Sequence, residues 1–513
     1  MSRYMQRLAT TGAAYTAASV FSKLIAVALL PVYTHYLAPA DYGAAEVLFA
    51  AVVSASIFVR LGLIEALLRF YYLAEEDSRR VVSTSFATLF WAATAGALLA
   101  LPFAGEISDA LLDTHAPGLV RIAIGGLWVL TLYEYLLTLF RLEERARAYF
   151  VTTLANVLIT IPVTVILVVG ADDGARGLLL GSYATGGVFV LGLIAVHRRS
   201  LSLRIDRPLL GRLMRFGLPT MPAELSLYSL NFIDRVILVR YAGLAEAGLY
   251  SLAVKFAQSV NVLVRGFQLA WPPLAYSIED DDEARVIYAR VVTWFTAGCA
   301  FAVTGVWLLA RWIVRALAAP EYFGSFKAIG LIATGVTLYA LYMVLVVILG
   351  RTGRTGFNFP ATAAAMAVNV ALNLALVPSL GIVGAGLALI ASYLVVLGLM
   401  YAFTQRLFPV PYEWGRLARI VLISAGLIGL GEAFLPTSGL AGLAGRVGLW
   451  AAFPLLLWAS GFLRPGERAA LSLLRRPAEV IARLQRLRDA PATAGGSIPE
   501  FYEAEAADED TLR

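Results

Sequence analysis

Cysteine, histidine and lysine are scarce in this 513-residue chain, and fewer than one residue in six is charged. The single cysteine, Cys299, excludes an intrachain disulfide and a thiolate metal cluster. The three histidines, His35, His115 and His197, lie far apart at helix ends or in loops, so each is expected to be a solvated interfacial residue; no metal and no cofactor is expected. A charged fraction of 15% falls well short of the roughly 25% of soluble domains, which excludes an ordinary soluble enzyme. Alternating ten-residue segments are also missing, which excludes an outer-membrane barrel.

What the chain has instead is a 59% hydrophobic composition gathered into runs of about 20 residues, the length that crosses a hydrocarbon core. The expected fold is an all-α polytopic membrane protein of about fourteen spans. Their limits read 12–34, 42–66, 83–104, 119–140, 149–170, 177–196, 216–241, 244–275, 291–311, 327–349, 358–378, 381–404, 418–435 and 446–463. No cleavable leader is expected, because the first run carries Lys23 at its centre.

Of the basic residues, 38 are Arg and 3 are Lys, and their placement sets the topology. With a cytoplasmic N-terminus, each inside segment carries at least two of them, whereas the outside loops hold only Arg176 and Arg315 clear of span boundaries. Both termini are therefore expected in the cytoplasm of a prokaryote, the protein lying in its inner (plasma) membrane. The acidic run 279–283 falls inside and reads as a solvated loop. Residues 465–490 mix leucines with Arg475, Arg476, Arg483, Arg486 and Arg488, as a basic amphipathic helix on the inner leaflet would. Residues 491–513 are acidic and poor in large apolar residues, the composition of a disordered tail.

The chain also repeats itself. At an offset of 205, residues 36–60 and 241–265 share Tyr36/Tyr241, Ala40/Ala245, Gly43/Gly248, Ser54/Ser259, Val59/Val264 and Arg60/Arg265, with Asp41/Glu246 as a matching acid. GARG at 174–177 and GIVG at 381–384 open equivalent helices at an offset of 207. Six spans separate the copies, an even number, so the repeat is parallel. It divides the chain into a six-helix lobe at 1–206, a second at 207–407, and two extra spans at 408–464.

Polar residues inside spans are costly and normally face a cavity or a partner. In span 1, Gly12, Thr16, Ser19 and Lys23 form one stripe; in span 7, Glu224, Tyr228, Asn231 and Arg235 do, with Asp234 beside them. Span 8 adds Ser251, Lys255, Gln258, Asn261, Arg265 and Gln268, and span 2 adds Arg60 and Glu65. Together these outline a hydrated cavity in which Lys23, Arg60, Arg235, Lys255 and Arg265 outnumber the ion-coupling or ion-pairing acids Glu65, Glu224 and Asp234. Ser19, Tyr228, Asn231, Gln258 and Asn261 supply its uncharged polar lining. That balance suits an anionic group such as phosphate. Interhelical pairing and snorkelling are the plainer roles open to the same residues. Pro219 and Pro222 open span 7, and Pro272 and Pro273 close span 8, as hinges or as simple ends.

The segments LLPVYTHYLAPADYGAAEVLFA (29–50) and FGLPTMPAELSLYSLNFIDRVILVRYAGLAEAGLYSLAVKF (216–256) resemble the polysaccharide biosynthesis family of the multidrug/oligosaccharidyl-lipid/polysaccharide export superfamily, in its O-antigen flippase flavour. The resemblance implies a V-shaped pair of six-helix lobes, no enzymatic activity, and export of a polyprenyl-diphosphate-linked oligosaccharide for cell-surface polysaccharide such as O-antigen or exopolysaccharide. Arg60 and Arg265 would receive the diphosphate, and Lys23, Lys255 and Arg235 would accompany it outward. The implied partners are that lipid-linked substrate, membrane lipids, and the polysaccharide polymerase and glycosyltransferases acting on the same glycan, with no nucleic acid. A multidrug or cation antiporter of the same superfamily is the alternative, though it would want unpaired cavity carboxylates. A membrane polymerase or glycosyltransferase fits less well, because no large outer loop or nucleotide-binding domain is present.

Overall fold

The computed structural model describes residues 29–71, 77–465 and 467, and every described element is helical. In chain order these are α1 (Leu30–Tyr36), α2 (Pro39–Arg60), α3 (Leu63–Phe70), α4 (Ser78–Ala100), α5 (Ala104–Leu112), α6 (Pro117–Leu142), α7 (Ala146–Val165), α8 (Gly174–His197) and α9 (Arg207–Gly217). There follow α10 (Met221–Ala257), α11 (Asn261–Ser277), α12 (Asp281–Leu317), α13 (Phe326–Arg351), α14 (Asn358–Leu380), α15 (Ile382–Leu407), α16 (Trp414–Phe434) and α17 (Gly439–Ala459). Proline supplies several of the starts, at Pro31, Pro39 and Pro117, where the first turn has no use for its missing N–H.

Twelve helical stretches among the described residues are long and apolar enough to cross a membrane, against the fourteen spans expected over the whole chain. The first expected span lies outside the described residues up to residue 28, and with it Ser19 and Lys23. Expected spans 7 and 8 are the two legs of one hairpin. Within α10, Gly243 takes φ 88° and ψ 169°, a conformation open to glycine but not to residues with a Cβ. The chain reverses there: Arg235 Nε donates to Ser251 Oγ at 3.0 Å and Tyr250 OH donates to Asp234 Oδ2 at 2.9 Å. Sixteen residues of straight helix would separate each pair by about 24 Å. Pro272 and Pro273 lie inside α11, which runs on to Ser277, rather than closing the span. The basic helix at 465–490 and the acidic tail at 491–513 lie outside the described residues, apart from positions 465 and 467.

The repeat reappears as geometry. A Cβ on Gly43 would come within 2.1 Å of the Leu244 carbonyl oxygen, and one on Gly248 within 2.1 Å of that of Pro39. The two equivalent glycines thus meet where α2 crosses the second leg of α10. Asp41 lies beside Gly174 at the start of α8, and its counterpart Glu246 beside Gly381 at the start of α15. Each acid faces the positive end of a helix dipole.

One core joins α2, α6, α8 and α10–α15. A second gathers α3, α4, α6 and α9 around Tyr135 and Leu213. The last pair of helices packs on α12 through a third, with Ile420, Leu427 and Phe453. Polar contacts reinforce that seam: Thr304 and Ser424 hydroxyls lie 2.6 Å apart, and Trp450 Nε1 donates to the Phe301 carbonyl at 2.9 Å. Glu432 is held between Arg311 (2.8 Å) and the fully buried Arg446 (2.6 Å). Leu99, Ile166, Leu422, Phe434 and Leu440 remain exposed, as side chains facing lipid do.

Two expectations are corrected. His197 is buried rather than solvated: its ring lies 4.8 Å from that of Phe140 and Nδ1 is 3.0 Å from the Leu193 carbonyl. The acidic run at 279–283 is more than a solvated loop. Asp280 caps α12 by accepting from the Glu283 amide at 2.7 Å, while Asp281 and Asp282 pair with Arg351 and Arg285.

Candidate functional site

A cavity of about 430 Å³ opens where α2, α10, α11, α13 and α15 converge. It lies within the range of small-molecule sites, roughly 300–1,000 Å³. The α2 wall is made of Ala50, Val53 and Ser54. Glu224, Tyr228 and Arg235 come from the first leg of α10, while Gln258, Asn261, Arg265 and Gln268 follow as one stripe along the short 3₁₀ turn 258–260 and α11. Tyr339 and Tyr393 complete it from α13 and α15.

The structure therefore brings seven of the residues in the predicted stripes to one space: Glu224, Tyr228, Arg235, Gln258, Asn261, Arg265 and Gln268. The other described ones stand beside it in pairs. Arg60, at the end of α2, donates from Nη1 to Glu134 at 2.8 Å and from Nη2 to Glu224 at 3.0 Å. Glu65, on α3, is close enough to add its charge to both acids. Lys255 is bonded to Glu46 of α2 at 2.5 Å, with its ammonium 5.2 Å from the centre of the Tyr42 ring. Arg265 is exposed and makes no ion pair with a described residue. The side chain of Asn231, like Ser19 and Lys23, lies outside the described ones.

Asp234 points the other way. It is fully buried, and its carboxylate accepts from Tyr250 OH at 2.9 Å and from Asn373 Nδ2 at 2.7 Å. Asn369 completes the cluster from the preceding turn of α14, and its own amide nitrogen and the Asn373 amide oxygen are buried without a hydrogen-bond partner. A carboxylate so deeply placed is normally offset by a cation or a proton.

Glu46, Glu134, Tyr339, Tyr393 and Asn373 were missed from sequence. Glu134 is the lone acid of its apolar span and Glu46 lies inside another, which is itself the signal of a buried partner. The tyrosines and Asn373 carry no comparable mark, since aromatic and amide residues are common in such helices.

Solved structures share this architecture. The lipid II flippase MurJ in an inward closed conformation superposes with a TM-score of 0.64 at 13% identity, covering 88% of this chain and 99% of that one. An inward-facing multidrug resistance MATE family transporter of the MOP superfamily gives 0.63 at 14% identity over 78% and 95%, and an outward-facing one gives 0.57 at 14% over 81% and 95%. The fold is thus one that these solved proteins share. Residues 32–323 match the family described as polysaccharide biosynthesis protein, and the chain belongs to that family. The succinoglycan biosynthesis transport protein ExoT of Rhizobium meliloti (strain 1021) is 25% identical over 320 residues. That match spans 59% of this chain and 61% of the relative's length.

Proposed function

We propose that this protein is an alternating-access flippase, moving an oligosaccharide linked to a polyprenyl diphosphate from the cytoplasmic to the outer leaflet of a prokaryotic inner membrane, both termini being cytoplasmic. Family membership, a relative named for succinoglycan transport and a fold shared with a lipid II flippase support this reading. The observation that carries it is the cavity beside the repeat contact, with Arg265 exposed in its wall.

The lobes are 1–206 and 207–407, with 408–464 as an added helix pair. Arg265 receives the diphosphate, its planar fork matching phosphate oxygens. Arg235, Lys23 and Lys255 act further along the path, and Arg60 takes part when its hold on Glu134 and Glu224 loosens. Sugars occupy the wet cavity while the prenyl chain stays in lipid. Asp234, uncharged or cation-bound in one state and ionised in the other, is the coupling group. No reaction is catalysed, and no cofactor is required.

Depleting the protein in its host and assaying lipid-linked glycans by leaflet tests the reading. Completed precursor should accumulate on the cytoplasmic leaflet, restored by wild type and not by Arg265→Ala. Normal surface glycan with altered dye or cation efflux would overturn the reading in favour of an antiporter.

A further inference from the structure

We propose that the second half of the chain carries a sugar-recognition subsite within the cavity, formed by Tyr228, Tyr339 and Tyr393 with Gln258, Asn261 and Gln268. This rests on the flippase reading and adds what that reading leaves open, namely which groups recognise the glycan as distinct from its diphosphate.

Three observations lead there. First, the lining is uneven. Among the described residues, every aromatic or amide side chain in the wall comes from beyond residue 220, while α2 contributes only Ala50, Val53 and Ser54. Second, the three amides belong to one stripe, and none of them is hydrogen-bonded to a described residue. Each amide offers donors and an acceptor together, which is what a sugar hydroxyl, itself both, requires. Third, Tyr228 is 46% exposed and Tyr339 half-buried, with the buried ring of Tyr393 packed against Tyr339 at 5.6 Å and a tilt of 53°, so that Tyr228 and Tyr339 offer the faces and Tyr393 holds one of them in place. Aromatic faces carry negative charge density and the C–H faces of a pyranose are weakly positive, so ring and sugar stack.

Other ligand classes fit this wall less well. A cationic drug would meet Arg235 and Arg265 while the wall's one acid, Glu224, is already held by Arg60, and a purely apolar one would strip water from three amides without replacing its hydrogen bonds. A polyhydroxylated ligand exchanges those waters for its own hydroxyls. Arg265, on the same stripe, sits where a sugar's diphosphate anchor would follow, so one helix face addresses both parts of the substrate.

The test uses the full-length protein in lipid nanodiscs and two probes, lipid-linked oligosaccharide extracted from the host and a polyprenyl diphosphate carrying no sugar. Tyr228→Leu and Gln268→Ala should each weaken binding of the glycosylated probe by roughly two- to tenfold, the scale of one aromatic or hydrogen-bonded contact, and leave the sugar-free probe unchanged. Tyr228→Phe should keep most of the affinity, which separates ring stacking from loss of a hydroxyl. Arg265→Ala should weaken both probes alike. Equal losses on both probes, or none on either, would overturn the subsite while leaving the flippase reading in place. If wild-type protein binds neither probe, the flippase reading itself fails, and the subsite with it.

Discussion

Gly43 and Gly248 occupy the same position in the two copies of the repeat, and they touch: a Cβ on Gly43 would stand 2.8 Å from the Gly248 amide nitrogen. Equivalent residues meet each other only near the axis relating two copies, so this contact marks where the halves of the molecule are joined. Gly43→Leu should therefore be among the most disruptive single changes in the chain. The obstacle is backbone, and overpacking costs about 1–3 kcal/mol even where side chains can yield. Monodisperse yield in detergent and melting temperature should both fall clearly. A variant with wild-type values would show that the helices part easily.

Glu46 and Lys255 bridge the same junction, one on each copy. Losing one partner of a buried pair costs roughly 3–5 kcal/mol, and the partial exposure of Lys255 places this pair below that range. Glu46→Gln and Lys255→Gln should each lower the melting temperature, and the double substitution should recover most of the loss. A double-mutant cycle with no coupling energy would show that the two charges are independently solvated.

Arg60 holds two carboxylates, so its removal leaves Glu134 and Glu224 facing one another. Arg60→Ala should destabilise the protein as well as slow transport, whereas Arg265→Ala should impair transport with little change in melting temperature. Adding Glu134→Gln to Arg60→Ala should restore stability without restoring transport. Identical behaviour of the two arginine variants would remove the distinction between a paired and an open cation.

Glu467, outside the spans, reports on pH. Burial pushes its carboxyl up, but hydrogen bonds from the Arg464 amide and Trp294, with Arg416 beside it, outweigh burial and hold it below the usual glutamate range. A depressed folded value means that its contribution is complete above about pH 4.3, the unfolded value, and fades as the pH falls through the folded one. Trp294 emission, read as the difference from Trp294→Phe, should therefore stay constant from pH 8 to 5 and change only in stronger acid. A transition near pH 6 would contradict this.

The sequence made much of this legible. Continuous apolar runs fixed the helical class, because a bilayer leaves few other ways to satisfy a backbone. The offset of 205 made Gly43 and Gly248 equivalent without saying that they touch, and the stripes in α10 and α11 pointed at the cavity. Helical spacing does not reveal partners on other helices, so nothing in the stripes ties Arg60 to Glu134, 74 residues away. Tyr339 and Tyr393 went unnoticed for a related reason, since their place in the wall depends on how α13 and α15 cross. The hairpin at Gly243 was anticipated as two spans, but the bonds that knit its legs were not.

The two arginines at the ends of the repeat have a history written into their surroundings. Around the acids Asp41 and Glu246 the copies still use one construction, an acid set against the glycine that opens a helix. Fifteen or more residues further along, they have parted: Arg60 is tied into the scaffold, whereas Arg265 stands in the open. Of two equivalent residues, one is thus a fastening between helices and the other a wall of the cavity. A repeat that is symmetric at its glycine junction is therefore asymmetric at its arginines.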